Sequence, residues 1–325
     1  MSLKLKFSIG ASVFWPPKDR TLSSGYKPDI TREEIWGSFG KVEGLEGVEL
    51  YYPADFDDPK EIKKVLDSQG IKVCSVGAII WAPAKYQNGS VTSLDKNIRR
   101  DAIDISKRAM DMASELEASA FNFWPAQDGY DYYFQSDYLN KWDLLVEGVK
   151  EIASINPDMP FGIEYKAKEP RTHQIISNAS NLVLLADDTG LDNVGATMDF
   201  GHSIICGENP AAEIVHLIRR NRLALLHNND NYADWDHDML PATAHFWENI
   251  EFFYWLKRMD YQGWINFDIF PVRFDAISAS SLTIRNIKRI VDFVNDIEVE
   301  EFNNAVDSNE VLQTQEFLWK RLFDK

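Results

Sequence analysis

The chain has 325 residues, 45% of them apolar, with 34 basic and 51 acidic side chains and a formal charge of −17. That apolar fraction supports a sizeable core and excludes global disorder. The acidity excludes proteins that track nucleic-acid phosphates or anionic membrane surfaces, because both need clustered Lys and Arg. In chain order, short apolar runs alternate with longer helical patterns. Leu5–Phe14 reads as a strand, Arg32–Lys41 as a helix and Gly47–Tyr52 as a second strand. Pro59–Ser68 has helical spacing and stops at Gly70, a C-cap residue. Lys72–Ile80 is the third strand. Asp95–Leu116 is a long amphipathic helix, with Ile98, Ala102, Ile105, Ala109, Met112 and Leu116 on one face. Ser119–Trp124 is the fourth strand, Tyr138–Ile152 a helix and Phe161–Tyr165 the fifth strand. A helix over His173–Asp187 ends near Gly190. Val194–Phe200 and Leu223–His227 are the sixth and seventh strands, with a helix over Pro210–Arg220 between them. Phe246–Met259 is an aromatic-rich helix, Gly263–Phe270 the eighth strand and Ala279–Asn295 the closing helix.

Eight strand–helix units are the count of a (β/α)8 barrel, whereas a doubly wound sheet shows fewer units in this length. The pattern predicts a TIM barrel over residues 1–296 and a short C-terminal extension over 297–325, a polar segment ending in an aromatic-bearing helix. No apolar run reaches the roughly 18 residues of a membrane-spanning helix. The N-terminus lacks the apolar stretch and small-residue cleavage site of a signal peptide. Cys74 and Cys206 sit among apolar residues and form no CxxC pair. That pattern predicts free thiols and a cytoplasmic location.

Chemistry in such a barrel belongs at the C-terminal ends of the strands, and four successive strands break there at ionisable residues. Glu164 and Lys166 end the fifth. Asp199 and His202 close the sixth, and His227 ends the seventh. Asp236 and Asp238 follow in WDHDML, and Asp268 sits in NFDIFP on the eighth. Asp230 is set aside as a loop residue. Five carboxylates crowded at one mouth raise each other's pKa. A divalent ion relieves this, and oxygen ligands with one or two imidazoles suit Mn²⁺ or Mg²⁺, with Co²⁺ also compatible. Singly, each residue has a plainer reading. Asp199 could be a loop residue that caps a helix or makes a salt bridge, Lys166 could pair with Glu164, and His227 could be a hydrogen-bonded core histidine. Aromatics form a second theme. Trp15, Tyr51, Trp81 and Trp124 stand at strand ends, where they suit either sugar C–H faces or ordinary barrel packing.

At these residues the sequence resembles the xylose isomerase family. GIEYKAKEPR (162–171) is similar to the family's E-x-K-x-x-E-P-R segment, through Glu164, Lys166, Glu169, Pro170 and Arg171. MDFGH (198–202), WDHDML, NFDIFPVR (266–273), NFWPAQDGYDY (122–132) and TSLDKNIRRDAI (92–103) resemble further family segments, in the family's order. The resemblance implies a metal-dependent aldose–ketose isomerase acting by a 1,2-hydride shift on a pentose, a 6-deoxyhexose or a branched aldose. One ion would be held by Glu164, Asp199, His227 and Asp268. A second would share Asp199 and add His202, Asp236 and Asp238. Lys166, His202 and Asp238 would be catalytic, and Trp15, Trp81, Trp124 and Tyr51 would contact the sugar. Two departures stand out. Tyr51 or Tyr52 falls where the family has a ring-opening His. Asn229 falls where it has a ligand Asp, so that role moves to His227, as in rhamnose isomerase-like relatives. A ketose 3-epimerase using one ion is the alternative reading. A homo-oligomer, dimer or tetramer, is the expected assembly.

Overall fold

A computed structural model describes residues 2–169, 171–297 and 299–324. Pro170, part of the GIEYKAKEPR match, and Glu298, within the extension, lie outside the described residues, as do both terminal residues. Eight parallel strands close into a barrel: β1 (Lys6–Gly10), β2 (Gly47–Tyr52), β3 (Lys72–Ala78), β4 (Ala120–Phe123), β5 (Phe161–Glu164), β6 (Val194–Asp199), β7 (Leu223–His227) and β8 (Trp264–Phe267). Each pairs with its sequence neighbours, and β8 closes on β1 through Lys6–Trp264, Phe7–Ile265, Ser8–Asn266 and Ile9–Phe267. The helices are α1 (Arg32–Phe39), α2 (Pro59–Gln69), α3 (Lys96–Glu115), α4 (Tyr138–Ala153), α5 (Ala179–Thr189), α6 (Phe200–Ile205), α7 (Pro210–Arg219), α8 (Phe246–Arg258), α9 (Ala276–Asp296), α10 (Val299–Asp307) and α11 (Val311–Phe323). The expected (β/α)8 TIM barrel is therefore present. None of the helices is long and apolar enough to cross a membrane among the described residues.

Local chemistry explains the helix limits. Asp58 caps α2 by accepting from Lys60 N, Pro59 supplies the first turn, and Gly70 ends it at φ 70°, where a Cβ would be strained. Thr31 and Glu34 form a reciprocal capping box on α1. On α3 the buried face centres on Ala102, Ile103, Ser106, Ala109, Met110 and Ala113. Ile98, Ile105 and Met112 of the expected stripe are only partly buried. The stripe is rotated because small residues let α3 approach the barrel along the Ala102–Ala109–Ala113 side.

Three expected elements are corrected. The first strand stops at Gly10, and Ala11–Phe14 is a 3₁₀ turn that swings Trp15 over the mouth. The eighth strand is shorter than Gly263–Phe270, ending at Phe267. The helix predicted from His173 begins at Ala179, with Asn178 as its N-cap. Thr172–Gln174 instead pairs antiparallel with Lys168–Glu169 and with Gly129–Tyr130. His173 stacks on Tyr130 with ring centres 5.3 Å apart. Helical periodicity is blind to that partner 43 residues away.

The extension is also more ordered than a polar segment. Two helices, α10 and α11, dock on α8 of the same barrel. Phe302 meets Tyr254 at 5.2 Å and Phe317 at 5.1 Å, Trp319 lies 5.7 Å from Trp247, and Leu318 is buried.

Candidate functional site

Strand register assembles the site. His227 lies beside Asp199 on one side and Asn266 on the other, and Glu164 lies beside Thr197. Asp268 follows Asn266 by two residues and so shares its face. The result brings Glu164, Asp199, His227 and Asp268 together, with one donor atom from each within 4.8 Å of all the others. His227 Nδ1 is buried and has no hydrogen-bond partner. It faces Glu164 Oε1 at 3.6 Å, Asp268 Oδ2 at 3.8 Å and Asp199 Oδ2 at 3.9 Å. Ligands about 2.0–2.3 Å from one ion stand roughly 3–4.5 Å apart. The three distances from Nδ1 fall in that range, and an orphaned imidazole nitrogen among three carboxylate oxygens is a donor set suited to a divalent cation.

Asp199 serves both readings of its position. Its Oδ1 accepts from His202 N and caps α6, while Oδ2 turns into the quartet and accepts from Asn229 at 2.9 Å. Gly201 is required here, because a Cβ would collide with the Asn229 and Asn231 amides. Asp230, set aside as a loop residue, is the fully buried anchor of that loop. Its backbone pairs with Met239, and its carboxylate accepts from Ala244 N and His245 N. This fold-back carries Asp236 and Asp238 to the mouth. Asp238 sits at φ 45°, a conformation Asp tolerates better than most residues.

The second group of residues balances its own charge. Lys166 pairs with Asp236 Oδ2 at 2.7 Å and with Glu169, not with Glu164. His202 Nε2 lies 3.0 Å from the same Asp236 oxygen, and its Nδ1 lies 3.0 Å from the Tyr165 carbonyl. Burial alone would lower the Lys166 pKa, but Asp236 and Glu169 override it and hold the ammonium charged. Burial likewise opposes a charged His202, yet Asp199 and Asp236 lift it to about 9. Asp236 is held well below the usual carboxylate range, because Lys166 and His202 outweigh its desolvation. The remaining carboxylates diverge. Glu164 falls to about 2 as His227 offsets burial, whereas burial and like charges push Asp268 up to about 8 and Asp238 well above its ordinary value.

These groups line a cavity of about 250 Å³ at the barrel mouth, walled by Trp15, Tyr51, Trp81 and Trp124. Trp81 and Trp124 meet edge to face at 5.0 Å, Trp15 and Tyr51 lie 6.0 Å apart, and Lys166 Nζ stands 5.3 Å from the Trp124 ring centre. The volume is just below the usual range of about 300–1,000 Å³ for ligand pockets.

A model of the family described as xylose isomerase-like TIM barrel matches residues 41–291. The chain belongs to the xylose isomerase-like TIM barrel family. A xylose isomerase of Thermus thermophilus is 24% identical over 224 residues, covering 66% of this chain and 57% of that one. The chain thus spans little more than half the length of that curated relative. Two solved structures share the fold. A D-psicose 3-epimerase from Clostridium cellulolyticum H10 covers 88% of this chain and 99% of its own, at 18% identity and TM-score 0.66. An L-ribulose 3-epimerase covers 89% and 95%, at 14% identity and TM-score 0.67.

This xylose isomerase-like barrel holds every expected site residue at one mouth. It also uses residues that the sequence reading passed over. Glu49 on β2 is buried and bonds to Tyr51 Oη, Ser75 Oγ and His227 Nε2. Asn122 donates to Glu164 Oε2 at 3.0 Å, and Asp55 accepts from Trp15 Nε1 at 2.9 Å. Glu49 could have been found as the one charged residue inside the apolar run GVELYY.

Proposed function

We propose that the protein is a divalent-metal-dependent aldose–ketose isomerase of a small monosaccharide, a pentose, a 6-deoxyhexose or a branched aldose, working by a 1,2-hydride shift. The observation that carries this is Lys166. Its ammonium, which Asp236 and Glu169 hold in the charged form, stands on the wall of the same small cavity as Glu164 and Asp268 of the quartet. Glu164, Asp199, His227 and Asp268 would hold an Mn²⁺, Mg²⁺ or Co²⁺ ion, which would supply Lewis-acid polarisation of the sugar. Lys166 donates to the sugar carbonyl oxygen and stabilises the charge that develops there. Asp236 Oδ1, buried without a hydrogen-bond partner, offers an acceptor for a sugar hydroxyl proton. His202 and Asp238 complete that proton-holding group. Together with Asp199 and Asp236 they would also suit a second ion. Trp15, Trp81, Trp124 and Tyr51 pack the sugar's C–H faces and exclude water, so that hydrogen passes between carbons.

The experiment is a panel of aldoses and ketoses assayed with Mn²⁺, using substrate deuterated at the migrating carbon. Retained label supports the hydride shift, and wash-out to water overturns it. A ketose 3-epimerase is the second reading. It is favoured by the quartet being one ion's complement while Lys166, Asp236 and His202 already neutralise one another. Turnover at C3 of ketoses, with none between aldose and ketose, would establish it.

Two free thiols, Cys74 buried and Cys206 half-buried, suit a reducing compartment such as the cytoplasm. A dimer or tetramer is the assembly we expect, and mass measurement in solution tests it.

A further inference from the structure

Glu49 does not line the cavity and belongs to neither proposed ligand set, yet it is a carboxylate only 1% exposed inside the barrel. Burying a carboxylate costs several kcal/mol unless its hydrogen bonds are made. Here they are made from three strands. Oε1 accepts from Tyr51 Oη at 2.8 Å on its own strand, and Oε2 accepts from Ser75 Oγ on β3. The third bond crosses the barrel, where Oε2 meets His227 Nε2 on β7 at 3.2 Å. The opposite nitrogen of that ring, Nδ1, is the orphaned atom facing Glu164, Asp199 and Asp268.

A neutral imidazole carries one N–H and one lone pair, and the partner of one nitrogen decides the role of the other. A carboxylate oxygen accepting at Nε2 keeps the proton there and leaves the lone pair on Nδ1. We infer that Glu49 is a positioning residue that fixes the tautomer and ring orientation of His227, so that Nδ1 is presented as a ligand to the ion. The same carboxylate is tied to the second side of the quartet. Tyr51 Oη accepts from Asn122 Nδ2 at 3.3 Å, and Asn122 in turn donates to Glu164 Oε2. Glu49 thus lies beneath two of the four ligands, acting directly on His227 and through Tyr51 and Asn122 on Glu164.

This inference rests on the metal reading of the quartet and is independent of which sugar is turned over. The test is calorimetric titration of Mn²⁺ into metal-free protein. Loss of such an outer partner typically weakens metal affinity about 10–100-fold. Glu49→Gln is expected to do so while the metal-free protein keeps its thermal unfolding midpoint. Glu49→Asp keeps the acceptor oxygens but draws them back from His227 Nε2. It is expected to weaken Mn²⁺ affinity as well and covers the case in which the Gln variant does not fold. Ser75→Ala removes a bond to the same oxygen but spares the histidine, and is expected to change affinity less than about threefold. In a His227→Ala background, Glu49→Gln is expected to add only a small further loss, the part carried through Tyr51 and Asn122 to Glu164. Undiminished Mn²⁺ affinity in folded Glu49→Gln overturns the inference, as does an equal loss in Ser75→Ala or a full second loss without His227. Absence of Mn²⁺ binding in the unaltered protein would instead overturn the quartet reading, and this inference with it.

Discussion

Lys166 Nζ stands 2.7 Å from Asp236 Oδ2, with both side chains almost wholly withdrawn from water. The two come from different strand–loop units, β5 and the loop after β7, so the pair forms only when the barrel is complete. Two opposite charges at this distance in a desolvated site strengthen each other's ionised state. The mouth therefore keeps a fixed positive group next to a cluster of carboxylates.

Lys166→Ala is expected to lower kcat by at least 10²–10³, the usual loss for a donor aimed at developing charge. Mn²⁺ affinity should stay within a few-fold, because Lys166 contacts none of the quartet. Steady-state kinetics beside calorimetry checks both halves. Unchanged isomerase turnover would remove Lys166 from the mechanism.

Mn²⁺ should raise the unfolding temperature. An ion present at 100 times its Kd adds about 2.7 kcal/mol, which for a chain of this size is a rise of about 4 °C. Asp268→Asn, altering a proposed ligand whose side chain keeps 19% exposure, should cancel the rise with little effect on the metal-free protein. A scanning-calorimetry series with and without chelator reads it. An equal rise in the variant would take Asp268 out of the quartet.

Burial pushes Asp55 from 3.8 up to about 7, against the hydrogen bonds from Tyr51 N and Trp15 Nε1. A carboxyl raised on folding stabilises fully below its unfolded pKa, and that contribution is lost as pH climbs through the folded value. Each decade of pH is worth about 1.4 kcal/mol, so the ceiling over pH 4–7 is about 4 kcal/mol. Relative to the unaltered protein, Asp55→Asn should therefore gain stability steadily from pH 4 to pH 7. Urea unfolding at four or five pH values tests this, and a flat difference would mean that Asp55 is ionised throughout.

Phe302→Ala should cost about 3 kcal/mol, since the ring is buried between Tyr254 and Phe317. Mn²⁺ affinity should not move. A parallel fall in affinity would tie the extension to the mouth and undo the division at residue 297.

The strand–helix alternation and the strand-end carboxylates were readable because each is a local signal. An apolar run gives a strand, and a charge ending it marks the mouth. Leu223–His227 agrees residue for residue. Thr172–Gln174 was misread because its partner, Gly129–Tyr130, is distant in sequence. Glu49 was passed over because a single acid within a strand shows no pattern, and its meaning lies in three partners on three strands. The plainer reading of Lys166, an ion pair with Glu164, fails because its partners are Glu169 and Asp236, the second of them 70 residues on.

Asp199 places a structural bond and a proposed ligand atom on one side chain, with one oxygen for the start of α6 and the other for the quartet. Asparagine caps a helix about as well as aspartate, but it brings no negative charge. A single amide at this position would leave the barrel, its helices and its family likeness intact while emptying it of chemistry. Descent within this family is written over more than two hundred residues, whereas the difference between an enzyme and a silent copy of its scaffold can hang on one oxygen.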